Sequence, residues 1–266
     1  MSATAPVSQL SFADTRPVSM GTLVKVEMRK MYDTRAGKWL LGITAGLVVV
    51  ANIIALIVFT TQDVDDIQYG TFIAITSYVS GIFLPILGIM LVTQEWGQRT
   101  GMVTFTLEPH RERVIWAKGL AGLLLSLGCI VLGLAIGLVM NLLYGAIHGP
   151  IGWDLGLKYM GGFALTQAIA MLAGFALAAL FLNTAAAIVL FFVYTFVLPG
   201  VFAIVGGLVG WFGDLRPWID FQAAQTPLGN ASMNGDDWGH LLTAGLLWLV
   251  LPLVVGIWRI LRAEVK

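Results

Sequence analysis

Three histidines, His110, His148 and His240, and one cysteine, Cys129, are the side chains of this 266-residue sequence best suited to metal or nucleophilic chemistry. Their placement supports neither. The histidines stand in connectors or at the edge of an apolar run, and no HExxH pair occurs. No serine and histidine share an apolar run, as buried nucleophilic catalysis would need. A single cysteine cannot close an internal disulfide, and Cys129 reads as a small packing residue. No GxxxxGK[ST] phosphate loop is present. The chain is therefore expected to hold no catalytic group, no metal and no nucleotide of its own. Lysine and arginine together balance aspartate and glutamate, 15 against 15, so no global field steers it to nucleic acid.

The elements that carry these residues are apolar. Hydrophobic residues make up 58% of the chain and charged ones 11%, with a mean hydropathy of +0.86. Soluble domains run near 25% charged, so lipid must be the solvent. A helix needs about 20 apolar residues to cross roughly 30 Å of hydrocarbon. Six runs qualify: Trp39–Thr60, Thr71–Thr93, Gly119–Tyr144, Tyr159–Leu182, Ala185–Gly210 and Gly239–Trp258. The expected fold is all-α, a polytopic membrane protein with one transmembrane domain over residues 18–266 after a flexible tail, 1–17. The charged segment before Trp39 does not read as a cleavable leader, so the N-terminus is expected to be retained.

The connectors set the orientation. One side carries 13 of the 15 basic residues, among them Lys25, Arg35, Arg111, Lys118 and Arg259; the other has only Lys158 and Arg216, with eight aspartates. The positive-inside rule places the basic side, with both termini, in the cytoplasm of a cell-membrane protein.

Three connectors have content. Val18–Lys38 reads as an interfacial amphipathic helix whose apolar half holds Met20, Leu23, Val24, Met28, Met31 and Tyr32. Glu27 and Arg35 break that face, either by snorkelling and local pairing or by meeting a partner. Gln94–Lys118 is longer than a turn needs; Met102, Phe105 and Leu107 give it a short apolar face that Pro109 ends. Trp211–Trp238 mixes aromatics with aspartates and reads as an insertion at the outer interface.

Within the spans the polar residues are neutral. Asn52, Asn141 and Gln167 read as hydrogen-bond pins between helices or, alternatively, as lining of a substrate path. The lack of a mid-membrane charge disfavours an ion-coupled carrier, and no internal repeat supports one. Gly133 and Gly137 form a GxxxG pair, read as an internal seam with a dimer seam as the alternative. Pro85, Pro199 and Pro252 should kink the second, fifth and sixth helices.

The order of parts resembles the permease subunit of type 2 ABC transporters, the exporter group, over residues 18–262. The residues that carry the resemblance are the entry Glu27-Met-Arg-Lys30-Met-Tyr-Asp-Thr-Arg35-Ala-Gly-Lys-Trp39, similar to actinobacterial permeases, and the loop residues Glu95, Thr100, Leu107, Pro109, Arg111, Arg113 and Lys118. The loop departs from the family order in reading Thr100-Gly101 rather than Gly-Thr.

The resemblance implies that two permeases, identical or related, pair, and that a separate ABC ATPase subunit binds each. ATP and Mg²⁺ would then belong to that partner. It also implies a coupling helix before Pro109 that docks in the ATPase. Glu95, Arg99, Thr100, Met102, Phe105, Leu107, Pro109, Arg111 and Arg113 would make this contact, and Glu27, Lys30 and Arg35 a second one. The cargo would be amphipathic: a drug, peptide or lipid. A membrane scaffold or sensor subunit, and a channel or secondary carrier, are the competing functions.

Overall fold

The computed structural model describes residues 18–62, 64, 67–98, 104, 106–149, 151–153 and 156–262. The helices among them are α1 (Met20–Asp33), α2 (Arg35–Thr61), α3 (Tyr69–Gly97), α4 (Arg111–His148), α5 (Leu157–Phe181), α6 (Thr184–Phe192), α7 (Leu198–Leu208), α8 (Gly210–Ile219), α9 (Phe221–Gly229), α10 (Gly235–Gly245) and α11 (Leu251–Arg262). A wide π turn, Val193–Val197, joins α6 to α7, and another, Leu246–Val250, joins α10 to α11. The result is six helices long and apolar enough to span a membrane: α2, α3, α4, α5, α6–α7 and α10–α11. The expected all-α polytopic fold is what forms. The expected tail, 1–17, lies outside the described residues.

The first two helices carry their own N-terminal caps. Ser19 caps α1 by accepting from the Thr22 amide at 3.2 Å. Thr34 ends α1 and starts α2, its hydroxyl accepting from the Gly37 amide at 3.2 Å. The amphipathic segment and first span are thus separate helices meeting at a corner. Gly37 makes the corner possible, since a Cβ there would lie 1.8 Å from the Met31 carbonyl oxygen.

The spans divide into a core and a periphery. Half or more of the most apolar stretch of α3 and of α5 is buried, 50% and 56%, against 6% for α6–α7. The α3–α5 seam is close backbone contact: a Cβ on Gly174 would lie 2.0 Å from the Pro85 carbonyl oxygen. The Gly133–Gly137 pair packs inside the chain, facing Thr76 and Tyr69 of α3.

Pro199 and Pro252 each follow directly on a π turn, where the ladder widens around the amide that proline lacks. Tyr194 and Trp248, one in each wide turn, pack together with ring centroids 5.3 Å apart. At the acidic end, α8 and α9 form the expected helical insertion. α9 lies back on α5, with Phe221, Ala224 and Leu228 packed around Ile169.

Candidate functional site

Two places gather the polar side chains of this bundle. The first is its basic end. α1 lies against the ends of α3 and α4 with Met31 fully buried among Leu84, Leu87 and Leu91. That packing carries Glu27 inward, where it is only 4% exposed. A lone buried carboxylate would be costly, and it is not alone. Glu27 accepts from Lys30 at 2.6 Å and from Lys118 at 2.7 Å. Glu95, at the end of α3, accepts from Lys30 at 2.5 Å and from Thr104 at 3.0 Å, with Lys118 3.3 Å away. Lys118 also donates to the Leu91 carbonyl at 3.0 Å. Two carboxylates and two ammoniums thus close a charge-balanced ring between α1, α3, α4 and the loop. Burial works against the charge of Lys30, but the Glu27 and Glu95 carboxylates outweigh it and hold its pKa above the ordinary lysine value.

Other basic side chains brace the same end. Arg113 donates to Glu108 at 2.9 Å and to the Val18 carbonyl. Arg111 donates to the Ile260 carbonyl at 3.1 Å, capping the C-terminus of α11. Arg259 reaches the Leu180 carbonyl near the end of α5. His110 pairs with Glu108, while His148 stacks on Tyr144 and His240 packs on Trp218.

The residues singled out for docking fall into three groups. Glu27 and Glu95 are buried in the ring, with Lys30 half-buried beside them. Leu107, Pro109 and Arg35 are exposed, Leu107 at 76%, and Arg111 and Arg113 point back into the bundle's own contacts. Arg99, Thr100, Met102 and Phe105 lie outside the described residues, as do Gly101 and Val103 of the expected coupling helix; Thr104, Thr106 and Leu107 are helical, and the Glu108 amide bonds the Thr104 carbonyl at 3.0 Å.

The second place is a lateral groove of about 510 Å³ between α3, α5, the α6–α7 turn and α9. Its walls are mainly apolar, and its polar lining includes Ser77, Tyr78, Thr166, Thr195, Gln222 and Gln225. Among the described lining residues none is an acid, a lysine, an arginine or a histidine. Tyr78 is 83% exposed in the middle of a span.

Asn52, Asn141 and Gln167 are not among the lining residues. All three have zero exposure and pin elements together. Asn52 donates to Thr76 at 3.0 Å, Asn141 to the Gly152 carbonyl at 3.2 Å, and Gln167 to Ser77 at 3.1 Å. Each amide nitrogen thus joins two elements, and Gln167 bonds a groove-lining residue, Ser77.

Sequence reasoning missed the partnership of Lys118 and the exposure of Tyr78. Two signals bore on the first: Glu27 sits on the apolar face of α1, and Lys118 sits at the edge of an apolar run.

No curated protein matches the chain. The family model described as ABC-2 family transporter protein matches residues 23–198, from α1 through α6 and the turn that follows, so it covers the ring and three of the four groove-lining elements. Six apolar spans, a braced basic end and that match together establish the chain as a multi-pass permease that belongs to the ABC-2 family.

Proposed function

We propose that this chain is the transmembrane subunit of an ATP-driven ABC exporter, working as a pair of permeases with separate ATPase subunits. The match to the ABC-2 family carries the reading, since that family implies an ABC ATPase partner. The basic end faces the cytoplasm by the positive-inside rule. The loop between α3 and α4 there presents Leu107 away from the bundle, which suits it to a groove on the ATPase. ATP and Mg²⁺ are held by that subunit, and closure of the ATPase pair moves the loop. The thinly packed α6–α7 span is the surface available to a second permease. The lateral groove, mainly apolar with scattered hydroxyl and amide groups, suits an amphipathic cargo entering from the lipid.

The test is purification in mild detergent from the native host, with mass spectrometry and an ATP hydrolysis measurement on the eluate. An ATPase subunit should copurify with the wild type and be lost with Leu107→Asp. Recovery of the chain without any ATP-binding subunit would overturn the proposal.

A further inference from the structure

The ring at the basic end has a topology that a simple salt bridge lacks. Glu95 Oε1 is shared by three donors from three places: Lys30 of α1, Thr104 of the loop and Lys118 of α4, the last at 3.3 Å. Glu27 closes the circuit from the other side, with one oxygen on Lys30 and the other on Lys118. Thr104 reaches α1 through Glu95, which accepts from Lys30. Glu27, Glu95 and Lys118 are each no more than 6% exposed, so water cannot readily replace a lost partner. The ammoniums cannot leave one carboxylate without unbalancing the other.

We infer that the ring of Glu27, Lys30, Glu95 and Lys118 is a positioning device that makes the loop, the amphipathic helix and the base of the third span move as one body. A displacement of the loop at Thr104 is delivered to α1 as well as to α3, its own neighbour in sequence. Glu27 and Glu95 serve this link from inside the protein, and the ATPase-facing surface is left to exposed residues such as Leu107. The purpose of the link rests on the docking role proposed for the loop; the coupling itself is a property of this chain alone.

The experiment is amide hydrogen exchange on the whole chain in lipid nanodiscs. Thr104→Val keeps the shape of the side chain and removes its bond to Glu95. It should speed exchange across residues 20–33 of α1 by about fivefold, although the bond it removes is to Glu95 of α3. Glu95→Leu, which removes the acceptor as well as the charge, should speed it more, and adding Thr104→Val to Glu95→Leu should add nothing. If Glu95→Leu does not fold, Lys30→Met opens the same circuit from its most exposed member, and the effect of Thr104→Val on α1 should then shrink severalfold. An effect of Thr104→Val confined to the loop and the end of α3 would overturn the inference, as would an effect on α1 that is undiminished when Glu95 or Lys30 is replaced. A local structural role gives the same slowing or speeding in every background; coupling does not. Because no ATPase takes part, failure of the copurification test leaves this one standing, and the reverse.

Discussion

The basic end and the lateral groove solve opposite problems with polar groups. At the basic end full charges are buried, which is tolerable only because every ammonium meets two carboxylates. In the groove the polar groups are neutral, and Tyr78 among them is largely exposed. The first arrangement is rigid and intolerant of single changes. The second leaves the Tyr78 side chain uncovered by the rest of the bundle. The difference teaches that charge at the basic end is buried to hold parts together, whereas neutral polar groups serve two purposes: Asn52 and Gln167 join helices, and Tyr78 stands exposed in the groove.

The contrast can be broken hardest at Lys118. Replacing it by methionine leaves Glu27 and Glu95 sharing one ammonium, and should cost about 3–5 kcal/mol of stability, read as an early loss of monodisperse protein on heating. The double variant Glu27→Leu/Lys118→Met keeps the Lys30–Glu95 pair and should be more stable than Lys118→Met alone. If the single variant is as stable as the wild type, the ring holds nothing. Next comes the seam between the two regions. Gly174→Ala places a methyl against the Pro85 carbonyl and should cost about 1–3 kcal/mol in the same assay. In the groove the effect should move from stability to transport. Tyr78→Ala, at a residue 83% exposed, should stay within about 0.5 kcal/mol of the wild type while altering cargo-dependent ATP hydrolysis in the reconstituted complex. The smallest effect is with pH. The Lys30 pKa is raised in the folded state, so its contribution is complete below the ordinary lysine value of 10.5 and fades as pH climbs through the raised one. Between neutral pH and 10.5, exchange in α1 should therefore be flat with pH after correction for intrinsic rates, and it should quicken only above 10.5.

The spans and the helical insertion could be read from the sequence because hydropathy is a property of single segments. Trp39–Thr60 sits inside α2, and Gly239–Trp258 inside the helix running from Gly235 to Arg262. The split at Thr34 was less visible, since the apolar pattern runs on while the backbone turns. The ring was half legible. Glu27 was noticed as a charge on an apolar face, but its partner Lys118 is 91 residues away and no local rule pairs them. The groove was not legible at all. Its lining comes from four segments, and a residue such as Tyr78 differs from a packed tyrosine only in what neighbouring helices leave uncovered. Asn52 and Gln167 leave two readings open in the sequence, a path or a join between helices, and only the folded bundle shows that they bond α2 to α3 and α5 to α3.

The distance in sequence between Glu27 and Lys118 also fixes an order of events at the ribosome. At roughly 5–20 residues per second, Lys118 is made about 5–20 seconds after Glu27. Until then the carboxylate has no buried partner from the third span. The ring closes only when the third span has been inserted with its base on the basic side. The contact that locks the amphipathic helix is therefore also a check on the topology of the two helices between, one that a span inserted the wrong way round could not pass.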